Sequence, residues 1–493
     1  MAMAFGSMAE FTRALEDAGE LVRITESVRT ELEIAAAAEL EMKKPRGGKA
    51  LFFEKPLLPT GDISRFPLLI NAFGSRRRMA LALGVGDTRE IAEKMAFLLK
   101  AKPPKNLGQA WELVRQGIDV IHARPSRKRT GACKDVILYP ADGKGLADLP
   151  ILKCWPNDGG HFITLPNVYT VDPENGERNI GMYRMQVFDG WKTAMHWQVH
   201  KVAARHGRRY YEEKRRMPVA VCLGGDPALT FAATAPMPDG LDEVMLAGFL
   251  RKKSVALVKC ETNDLFVPAD SDFVIEGYVD PNEELIEEGP FGDHTGFYTP
   301  RDLYPCFHVT CMTHRRDAVY PATIVGKPPM EDFYLGSASV EIFLPVLKMN
   351  FPEIVDMALP AEGVFHNLVL VSIRKQYPCH AYKIMNGLWG MGQMMFSKMI
   401  VVFDAEVNVH DTSEALFYLC ANIDPKRDTL FTRGPCDSLD HAQNEPNVGS
   451  HMGIDATHKL PGEGGYRREW PARCVMPDKI IEKARLILAR SGV

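Results

Sequence analysis

The residues with the clearest chemical potential are two acids in the segment Glu288–Gly296, which reads Glu-Gly-Pro-Phe-Gly-Asp-His-Thr-Gly. Pro290 fixes φ and Gly292 tolerates unusual backbone angles, so we expect a tight loop here rather than a strand or helix. A loop that holds Glu288 and Asp293 together moves their pKa values apart, which suits proton transfer near neutral pH. A surface turn with solvated acids is the simpler interpretation of an arbitrary Pro-Gly turn.

A second group of polar residues lies between positions 179 and 200. Asn179 and Arg184 are five residues apart in a segment of strand character, hence on opposite faces of a regular strand. Arg184 suits a bidentate contact with a carboxylate, although an exposed arginine on a sheet is the simpler interpretation of this residue alone. His196 and His200 would share a helix face, but His-Trp-Gln-Val-His lacks the glutamate of a zinc protease.

Two more charged residues are candidates for a metal or phosphate site. Glu243 begins a predicted helix after the turn at 236–240, where acids are also common because they suit the helix dipole. Together with Asn and His, a Glu suits Mg²⁺ or Mn²⁺. Lys398 precedes an apolar strand and either contacts a phosphate or protects a strand edge. The sequence contains no P-loop, dinucleotide-binding fingerprint or nucleophile elbow.

Composition narrows the class of protein. A chain of 493 residues predicts two or three domains. A net charge of -4 argues against a nucleic-acid or acidic-membrane surface. The ten cysteines include no CxxC pair, which argues against a thiolate zinc site and favours a reduced, cytoplasmic setting. No apolar run approaches the roughly 20 residues of a membrane span, so we expect no integral membrane segment.

The order of predicted elements divides the chain into three parts. Helix and strand signals alternate over the first 125 residues, and many strands follow from about 160 to 325, including a hairpin around Asp189-Gly190. From about residue 337 the alternation returns, with a Met-rich helix predicted over 381–395. The final predicted helix, Pro477–Ser491, has an apolar stripe that packs either within its own subunit or on a neighbour.

These motifs occur together and in this order in the UbiD family of decarboxylases, which the chain resembles from about Phe11 onward. The string at 288–296, the Asn-Ile-Gly-Met-Tyr-Arg motif at 179–184 and the turn at 236–240 carry the resemblance, and the segment at 452–463 is like that of quinone-pathway members. The resemblance implies a multidomain α+β fold with an N-terminal α/β domain (8–125). Residues 126–325 would form a central β-rich split-barrel cofactor domain like that of flavin reductases. Residues 326–493 would form a C-terminal α/β domain with a terminal helix.

The resemblance also implies cofactors and the residues that hold them. Family members use prenylated FMN, supplied by a separate flavin prenyltransferase, with Mn²⁺ and K⁺ near the cofactor phosphate. The implied cofactor-binding residues are Asn179, Met182, Arg184, His200, Lys201, Ala235, Pro236, Glu243 and Lys398. Asn179, His200 and Glu243 are the implied Mn²⁺ ligands, and the backbone at Ala235–Pro236 lies near K⁺. Lys398 would meet the phosphate.

The implied reaction is reversible, non-oxidative decarboxylation of an aromatic hydroxyaryl acid through a covalent cofactor adduct. Arg184, Glu288 and Asp293 resemble the family's catalytic network. In it Arg184 would orient the substrate carboxylate and Asp293 would hold Arg184. Glu288 would give the proton that replaces CO₂, for which we expect a raised pKa in a dry pocket.

Several biological assignments remain open at this level. The segment at 326–336 resembles members of the futalosine route to menaquinone, whose substrate would be a dihydroxynaphthoate; a polyprenyl-hydroxybenzoate of the ubiquinone route is the next candidate. A physiological aryl carboxylase and a catabolic decarboxylase of phenolic or heteroaromatic acids are alternatives, as is a non-catalytic flavin- and metal-binding assembly protein. The resemblance implies a homodimer or a homohexamer.

Overall fold

The computed structural model describes residues 4–100, 117–143, 145–197, 202–237 and 242–491, and over these ranges the chain has an α+β fold with several sheets. The α-helices are α1 Met8–Asp17, α2 Glu33–Met42, α3 Arg76–Ala82, α4 Arg89–Lys100, α5 Val202–Glu212, α6 Pro227–Ala232, α7 Glu243–Leu250, α8 Glu331–Asn350, α9 His380–Trp389, α10 Thr412–Asn422 and α11 Asp478–Arg490. None of the described helices is long and apolar enough to cross a membrane.

The strands of the first two-thirds of the chain are short, and many pair with strands distant in sequence. They are β1 Leu21–Arg29, β2 Ala50–Leu57, β3 Leu68–Ile70, β4 Ser126–Arg127, β5 Val136–Leu138, β6 His161–Ile163, β7 Asn167–Val171, β8 Arg178–Met182, β9 Met185–Asp189, β10 Lys192–Ala194, β11 Met217–Leu223, β12 Ala256–Lys259, β13 Phe266–Pro268, β14 Phe273–Val279, β15 Ile286–Glu288, β16 Phe291–Gly292, β17 Tyr298–Thr299, β18 Asp302–Tyr304, β19 Cys306–His314 and β20 Tyr320–Ala322. The strands after α8 are β21 Ile354–Ala358, β22 Leu368–Ile373, β23 Met399–Asp404, β24 Thr429–Pro435 and β25 Val448–Asp455.

The N-terminal sheet has the order β1-β2-β3-β20. Helix α1 begins at the N-cap Ser7, whose side chain accepts a hydrogen bond from the amide of Glu10, and it buries Met8, Phe11 and Leu15. Strand β20 pairs in parallel with β3, although 250 residues separate Ile70 from Tyr320 in the chain. The N-terminal sheet is therefore completed by β20, a strand that follows all strands of the central sheet in the sequence.

The central sheet must curl, because two residues join its opposite ends. Its order is β6-β9-β10-β19-β14-β11-β7-β8, with β5 also paired to β19. Strand β8 lies at one end of this order and β9 near the other, yet only Tyr183 and Arg184 separate them in the chain. Six strand spacings would cover roughly 29 Å on a flat sheet, whereas this connection spans at most about 11 Å. The sheet consequently forms a half-barrel that closes at Arg184, as in the predicted fold class.

The C-terminal sheet has the order β21-β22-β23-β25-β24, with parallel pairs at its centre. Strands β22 and β23 are continuous apolar runs that are buried almost throughout, as parallel strands covered on both faces should be. Helices α8 and α9 pack on this sheet, and residues such as Ile384, Leu388 and Val402 form its core.

Local sequence patterns predicted most elements, with two corrections. Strands β9 and β10 pair antiparallel and confirm the hairpin around Asp189-Gly190. The Met-rich helix ends at Trp389 rather than 395, because Met391 has an extended backbone (φ −116°, ψ 110°) and the chain continues as a 3₁₀ turn over Gly392–Phe396. The segment 288–296 is not wholly a loop, since Phe291 and Gly292 pair with Tyr298–Thr299 in a short antiparallel ladder.

Replacing Phe307 by Ala tests the half-barrel core. Phe307 lies in β19 and is completely buried, so Phe307→Ala should lower the free energy of unfolding by about 3–5 kcal/mol. The control is Phe188→Ala in β9 of the same sheet, where 45% of the residue is exposed and the expected loss is under about 1 kcal/mol. Guanidinium unfolding followed by tryptophan fluorescence measures both, and equal losses would contradict the assigned core.

Candidate active site

The centre of the candidate site is an arginine held between two buried carboxylates. Arg184 donates from Nε to Glu288 Oε1 at 2.8 Å and from Nη2 to Oε2 at 3.2 Å, and its Nη1 contacts Asp293 Oδ2. The side chain of Glu288 is completely buried, whereas those of Arg184 and Asp293 keep 10% and 8% of their exposure. The three side chains that the sequence predicted to act together therefore form one cluster.

The loop that carries both acids is fixed by side chains from the half-barrel. Gln186, two residues after Arg184, accepts from the amide of Gly289 at 2.7 Å and donates to Gly159 at 3.0 Å. Asp158 accepts from the amide of Gly292 at 2.8 Å. These bonds satisfy buried backbone groups of the loop, and they hold Glu288 and Asp293 on either side of Arg184.

The residues between the two acids pack against their neighbours in ways that require phenylalanine and glycine. The ring centroid of Phe291 lies 4.5 Å from the centre of the Arg184 guanidinium, a cation–π distance. A Cβ atom on Gly292 would come within 2.2 Å of Trp155 Cδ1, so only glycine lets the loop approach that indole. The loop is thus packed from both sides rather than exposed, which rejects the surface-turn interpretation.

Each carboxylate also has its own histidine. His196 Nδ1 lies 3.2 Å from Glu288 Oε2, and its ring packs against Tyr304 with centroids 4.3 Å apart. His294 Nδ1 lies 2.9 Å from Asp293 Oδ1. On its other side, His294 Nε2 lies 2.9 Å from Nε2 of His366, which comes from the C-terminal part of the chain.

The pKa of Glu288 is lowered, and this corrects the expectation of a raised value. Burial raises the pKa, but hydrogen bonds from His196 and Arg184 outweigh it and lower the pKa from 4.5 to about 2. Asp293 behaves alike: burial opposes ionisation, yet Arg184 and His294 hold its pKa well below the usual range. The pKa of His196 is also lowered, by burial and then by the charge of Arg184.

Asn179 and Glu243 converge on a second, polar site. Both line a cavity of about 420 Å³ that Arg178, Arg205 and His206 also border. Glu243 Oε2 accepts from the amide of Ile180 at 3.1 Å, which places this carboxylate beside the strand that carries Asn179.

The donor set of this cavity fits a bound cation and phosphate. Burial raises the pKa of Glu243 to about 7, so a cation is the partner that would keep it ionised. Nδ2 of Asn179 is buried without a hydrogen-bond partner. The two amide atoms of Asn179 differ in role, one a donor and the other an acceptor, so the side chain can present either to a group that enters the cavity.

The remaining predicted residues are distributed around these two sites. Met182 is half-buried at the end of β8, and the Ala235 carbonyl accepts from the amide of Met237 at 2.8 Å beside an exposed Pro236. Lys398 Nζ bonds Asp440 Oδ1 at 2.7 Å within the C-terminal part of the chain. His200, Lys201 and the end of the turn at 238–240 lie outside the described residues.

Comparison with known families identifies the chain. Three family models match in succession: the N-terminal domain of 3-octaprenyl-4-hydroxybenzoate carboxy-lyase over residues 12–96, its Rift-related domain over 124–328 and its C-terminal domain over 333–456. The chain belongs to the UbiD family. It is accordingly a UbiD-type carboxy-lyase, and the cluster of Arg184, Glu288 and Asp293 lies within the Rift-related domain.

Curated proteins and solved structures that are similar to this chain match it over nearly its full length. An uncharacterized protein of Archaeoglobus fulgidus is 48% identical over 95% of both chains. The closed form of vanillic acid decarboxylase from Sedimentibacter hydroxybenzoicus has a TM-score of 0.84 at 26% identity, over 99% of this chain and 100% of that one. An evolved dimeric form of the UbiD-class enzyme HmfF from Pelotomaculum thermopropionicum, in complex with prenylated FMN, has a TM-score of 0.78 at 26% identity, over 96% and 98%.

Sequence reasoning missed part of the UbiD site. The sequence offers His196 as a metal ligand or as a structural histidine, and the alternation of β9 and β10 gives no sign of the contact between His196 and Glu288. Tyr304 and His366 lie in segments without any chemical motif. Asp158 and Gln186 bond backbone groups of the acid loop, and such partners are set by tertiary contacts that local spacing does not encode.

The lowered pKa of Glu288 predicts a pH-dependent contribution to stability. A folded pKa of about 2 against an ordinary 4.5 means that ionised Glu288 stabilises the fold above pH 4.5 and that this contribution disappears as the pH falls toward 2. Glu288→Gln should therefore destabilise the protein most at pH 5–7 and progressively less below pH 4.5. Guanidinium midpoints of both proteins from pH 7 to pH 3 measure this, and a pH-independent difference would contradict it.

Proposed function

We propose that this UbiD-family protein is a prenylated-FMN-dependent enzyme that removes CO₂ reversibly and without net oxidation from a hydroxyaryl carboxylic acid. The observation that carries this proposal is the buried cluster of Arg184, Glu288 and Asp293, because a pure binding protein has no need of two acids around one arginine. Its resemblance to the prenylated-FMN complex of HmfF adds support.

The cavity beside Asn179 and Glu243 is our proposed site for the cofactor phosphate. In this proposal Asn179, Glu243 and His200 bind Mn²⁺, and the backbone at Ala235–Pro236 contributes to a K⁺ site. Met182, Lys201 and Lys398 are proposed to contact the cofactor, with Lys398 released from Asp440 to meet the phosphate. A flavin prenyltransferase would supply the cofactor, which when bound provides an electron sink for the electrons left by the departing CO₂.

Arg184 is proposed to hold the substrate carboxylate. A guanidinium has five N–H donors, and the contacts of Arg184 with Glu288 and Asp293 use three of them. The other two remain for an incoming carboxylate, whose planar oxygens match the guanidinium. Asp293 keeps the guanidinium oriented, and the packing around Phe291 restricts water, which strengthens these charge interactions.

Glu288 is our proposed proton donor to the carbon that loses CO₂. The resting carboxylate is ionised, so it must gain a proton during each turnover. A substrate carboxylate at Arg184 adds negative charge near Glu288 and competes for the same cation, and both effects raise the pKa of Glu288. Substrate binding thereby prepares the acid that completes the reaction.

Quinone biosynthesis is the proposed setting, with a dihydroxynaphthoate or a polyprenyl-hydroxybenzoate as substrate. The matching family models are named for 3-octaprenyl-4-hydroxybenzoate, and the structural relative from Sedimentibacter is a decarboxylase of vanillic acid. A cytoplasmic location accords with ten cysteines that are all free thiols.

Glu288→Gln should abolish turnover without affecting cofactor binding. The protein, co-expressed with a flavin prenyltransferase and manganese, is assayed for bound prenylated FMN by absorbance and intact mass, and then for CO₂ release from a panel of hydroxyaryl acids. We expect a loss of at least about 100-fold. The control is Glu287→Gln, since Glu287 is 60% exposed and pairs with Arg301. Normal turnover by Glu288→Gln would reject the assignment, and wild-type protein that never takes up flavin would reject the proposed function.

We further propose that α11 joins subunits into a homodimer or a dimer-built homohexamer. No residue of this helix is buried. Its large apolar side chains are exposed too: Ile480, Leu486, Ile487 and Leu488 are each at least 50% exposed. Exposed apolar surface of this kind marks an interface. Leu416 and Phe417 on α10 are also exposed, at 59% and 64%, and are a second apolar surface that a neighbouring copy could cover.

Charge substitutions on α11 test the interface. The double variant Ile480→Glu, Ile487→Glu should lower the molar mass measured by light scattering, because carboxylates in an apolar interface lose hydration. Lys479→Glu with Lys483→Glu is the control, since it changes the helix charge without touching the apolar stripe. An unchanged assembly in the first variant would place the interface elsewhere.

A further inference from the structure

Three side chains outside the candidate active site form a group of potential metal ligands. They are Glu283, Cys306 and His308, and one carboxylate oxygen, the sulfur and one ring nitrogen all lie within 4.8 Å of one another. Thiolate, imidazole and carboxylate are the three kinds of protein ligand that Zn²⁺ accepts. The chemistry of the group therefore suits a zinc ion.

The alternation of β19 directs two of these ligands to one face of the half-barrel. Cys306 and His308 are two residues apart and so point to the same side of the strand, while Phe307 between them is completely buried in the core. The ring of His308 stacks on Tyr278 of the neighbouring strand β14, with centroids 5.1 Å apart and planes 20° apart. This stacking holds the imidazole in position before any cation arrives.

The third ligand comes from the segment between β14 and β15. Glu283 Oε2 lies 2.6 Å from Nε2 of His308, and these side chains are 42% and 27% exposed, whereas Cys306 is buried. In a tetrahedral zinc site with bonds of about 2.0–2.3 Å, the ligand atoms are roughly 3.3–3.6 Å apart. A cation would therefore enter this group after small side-chain movements, and water would reach its fourth position from the exposed side.

The charges around the thiol balance a divalent cation. Burial raises the pKa of the Cys306 thiol to about 11, and the carboxylates of Glu283 and Asp189 act in the same direction, while the ammonium of Lys192 opposes them. The metal-free thiol therefore keeps its proton. Once a cation replaces that proton, the thiolate and the two carboxylates neutralise the cation and Lys192 together.

The group lies at the base of the hairpin that carries both acids of the candidate active site. Strands β15 and β18 pair antiparallel, with Ile286 opposite Tyr304. Glu283 precedes β15 and Cys306 follows β18 in the chain. A cation bound by both would close the intervening segment at its base, as a clip does.

We propose that Glu283, Cys306 and His308 bind a Zn²⁺ ion that clips the base of this hairpin. Binding forms bonds from Zn²⁺ to the sulfur, to Nε2 and to a carboxylate oxygen, and the proton of the thiol passes to solvent without any electron transfer. A clip that closes a long loop stabilises the folded chain. Zn²⁺ binding here requires neither the flavin cofactor nor turnover.

This zinc site differs from the two kinds of metal site considered above. The absence of a CxxC pair argues against a site of several thiolates, whereas this one uses a single thiolate. The proposed Mn²⁺ ligands Asn179, His200 and Glu243 include no sulfur. Thiolate favours Zn²⁺, while carboxylate and carbonyl oxygens suit Mn²⁺, so the two sites select different cations.

Cobalt and zinc titrations of the full-length chain, purified without added metal, test the site. Co²⁺ replaces Zn²⁺ in protein sites and gives a near-ultraviolet charge-transfer band where a thiolate binds it. We expect one such Co²⁺ per chain, displaced by Zn²⁺ but not by an equal concentration of Mn²⁺, which binds such ligands more weakly than Co²⁺ does. Zn²⁺ should also raise the thermal unfolding midpoint, because it binds the folded chain.

Two variants remove ligands. Cys306→Ser should abolish the cobalt band, and both Cys306→Ser and His308→Gln should weaken Zn²⁺ binding at least about 100-fold, since even partners outside the ligand shell contribute about 10- to 100-fold. Part of the rise of the midpoint that depends on these ligands should disappear with them. His308 is partly exposed, so His308→Gln keeps the test open if Cys306→Ser does not fold.

The chain offers two matched controls. His410 pairs with Asp356 at 3.1 Å on the surface, and within the described part of the chain no third ligand completes a metal group there. Cys420 is an exposed thiol on α10. His410→Gln and Cys420→Ser should both leave the cobalt band and the affinity for Zn²⁺ unchanged.

Three results would overturn the proposal. A wild-type titration without the charge-transfer band would show that no thiolate binds the cation. A band that persists in folded Cys306→Ser, or an unchanged affinity for Zn²⁺ in His308→Gln, would place the cation elsewhere. Zn²⁺ that binds the wild type without raising its unfolding midpoint above that of Cys306→Ser treated alike would reject the clip.

Discussion

Compensation of charge around Arg184 is the interaction on which the site depends. Each of the three buried charges would cost several kcal/mol if it stood alone in the interior. Together they neutralise most of one another, and Thr299 and the histidines satisfy further lone pairs of the two acids. The cluster forms only where the fold brings the segment of Arg184 and the loop of the two acids to one point, and the surrounding architecture holds them there.

The closure of the half-barrel meets that requirement. Because β8 and β9 lie toward opposite ends of the sheet order and only two residues join them, the chain must change partners at Tyr183 and Arg184. Arg184 therefore projects from the junction, while Asn179 in the preceding strand borders the polar cavity. One short segment thus contributes to both the reaction site and the proposed phosphate site, and Gln186 just beyond it anchors the acid loop.

The two carboxylates differ in their outer partners. Glu288 contacts His196 and, through it, Tyr304, all within the central part of the chain. Asp293 contacts His294, which reaches across to His366 of the C-terminal part. Burial lowers the pKa of His366, whereas the bond to Asp293 outweighs burial and raises the pKa of His294, so the charge stays beside Asp293. The second acid is hence coupled to the packing of two parts of the protein.

The sequence by itself determined the residue types, most of the elements and the family resemblance, because helix caps, alternation and turn residues act over a few positions. It also placed Glu288, Asp293 and Arg184 in one network. Tertiary structure alone decided their charge states. The expected rise in the pKa of Glu288 followed from burial in a dry pocket, whereas hydrogen bonds from the imidazole of His196 and the guanidinium of Arg184 outweigh burial and lower the pKa. Pairings such as His196 with Glu288, 92 residues apart, depend on how the sheet curls, and local sequence carries no record of that.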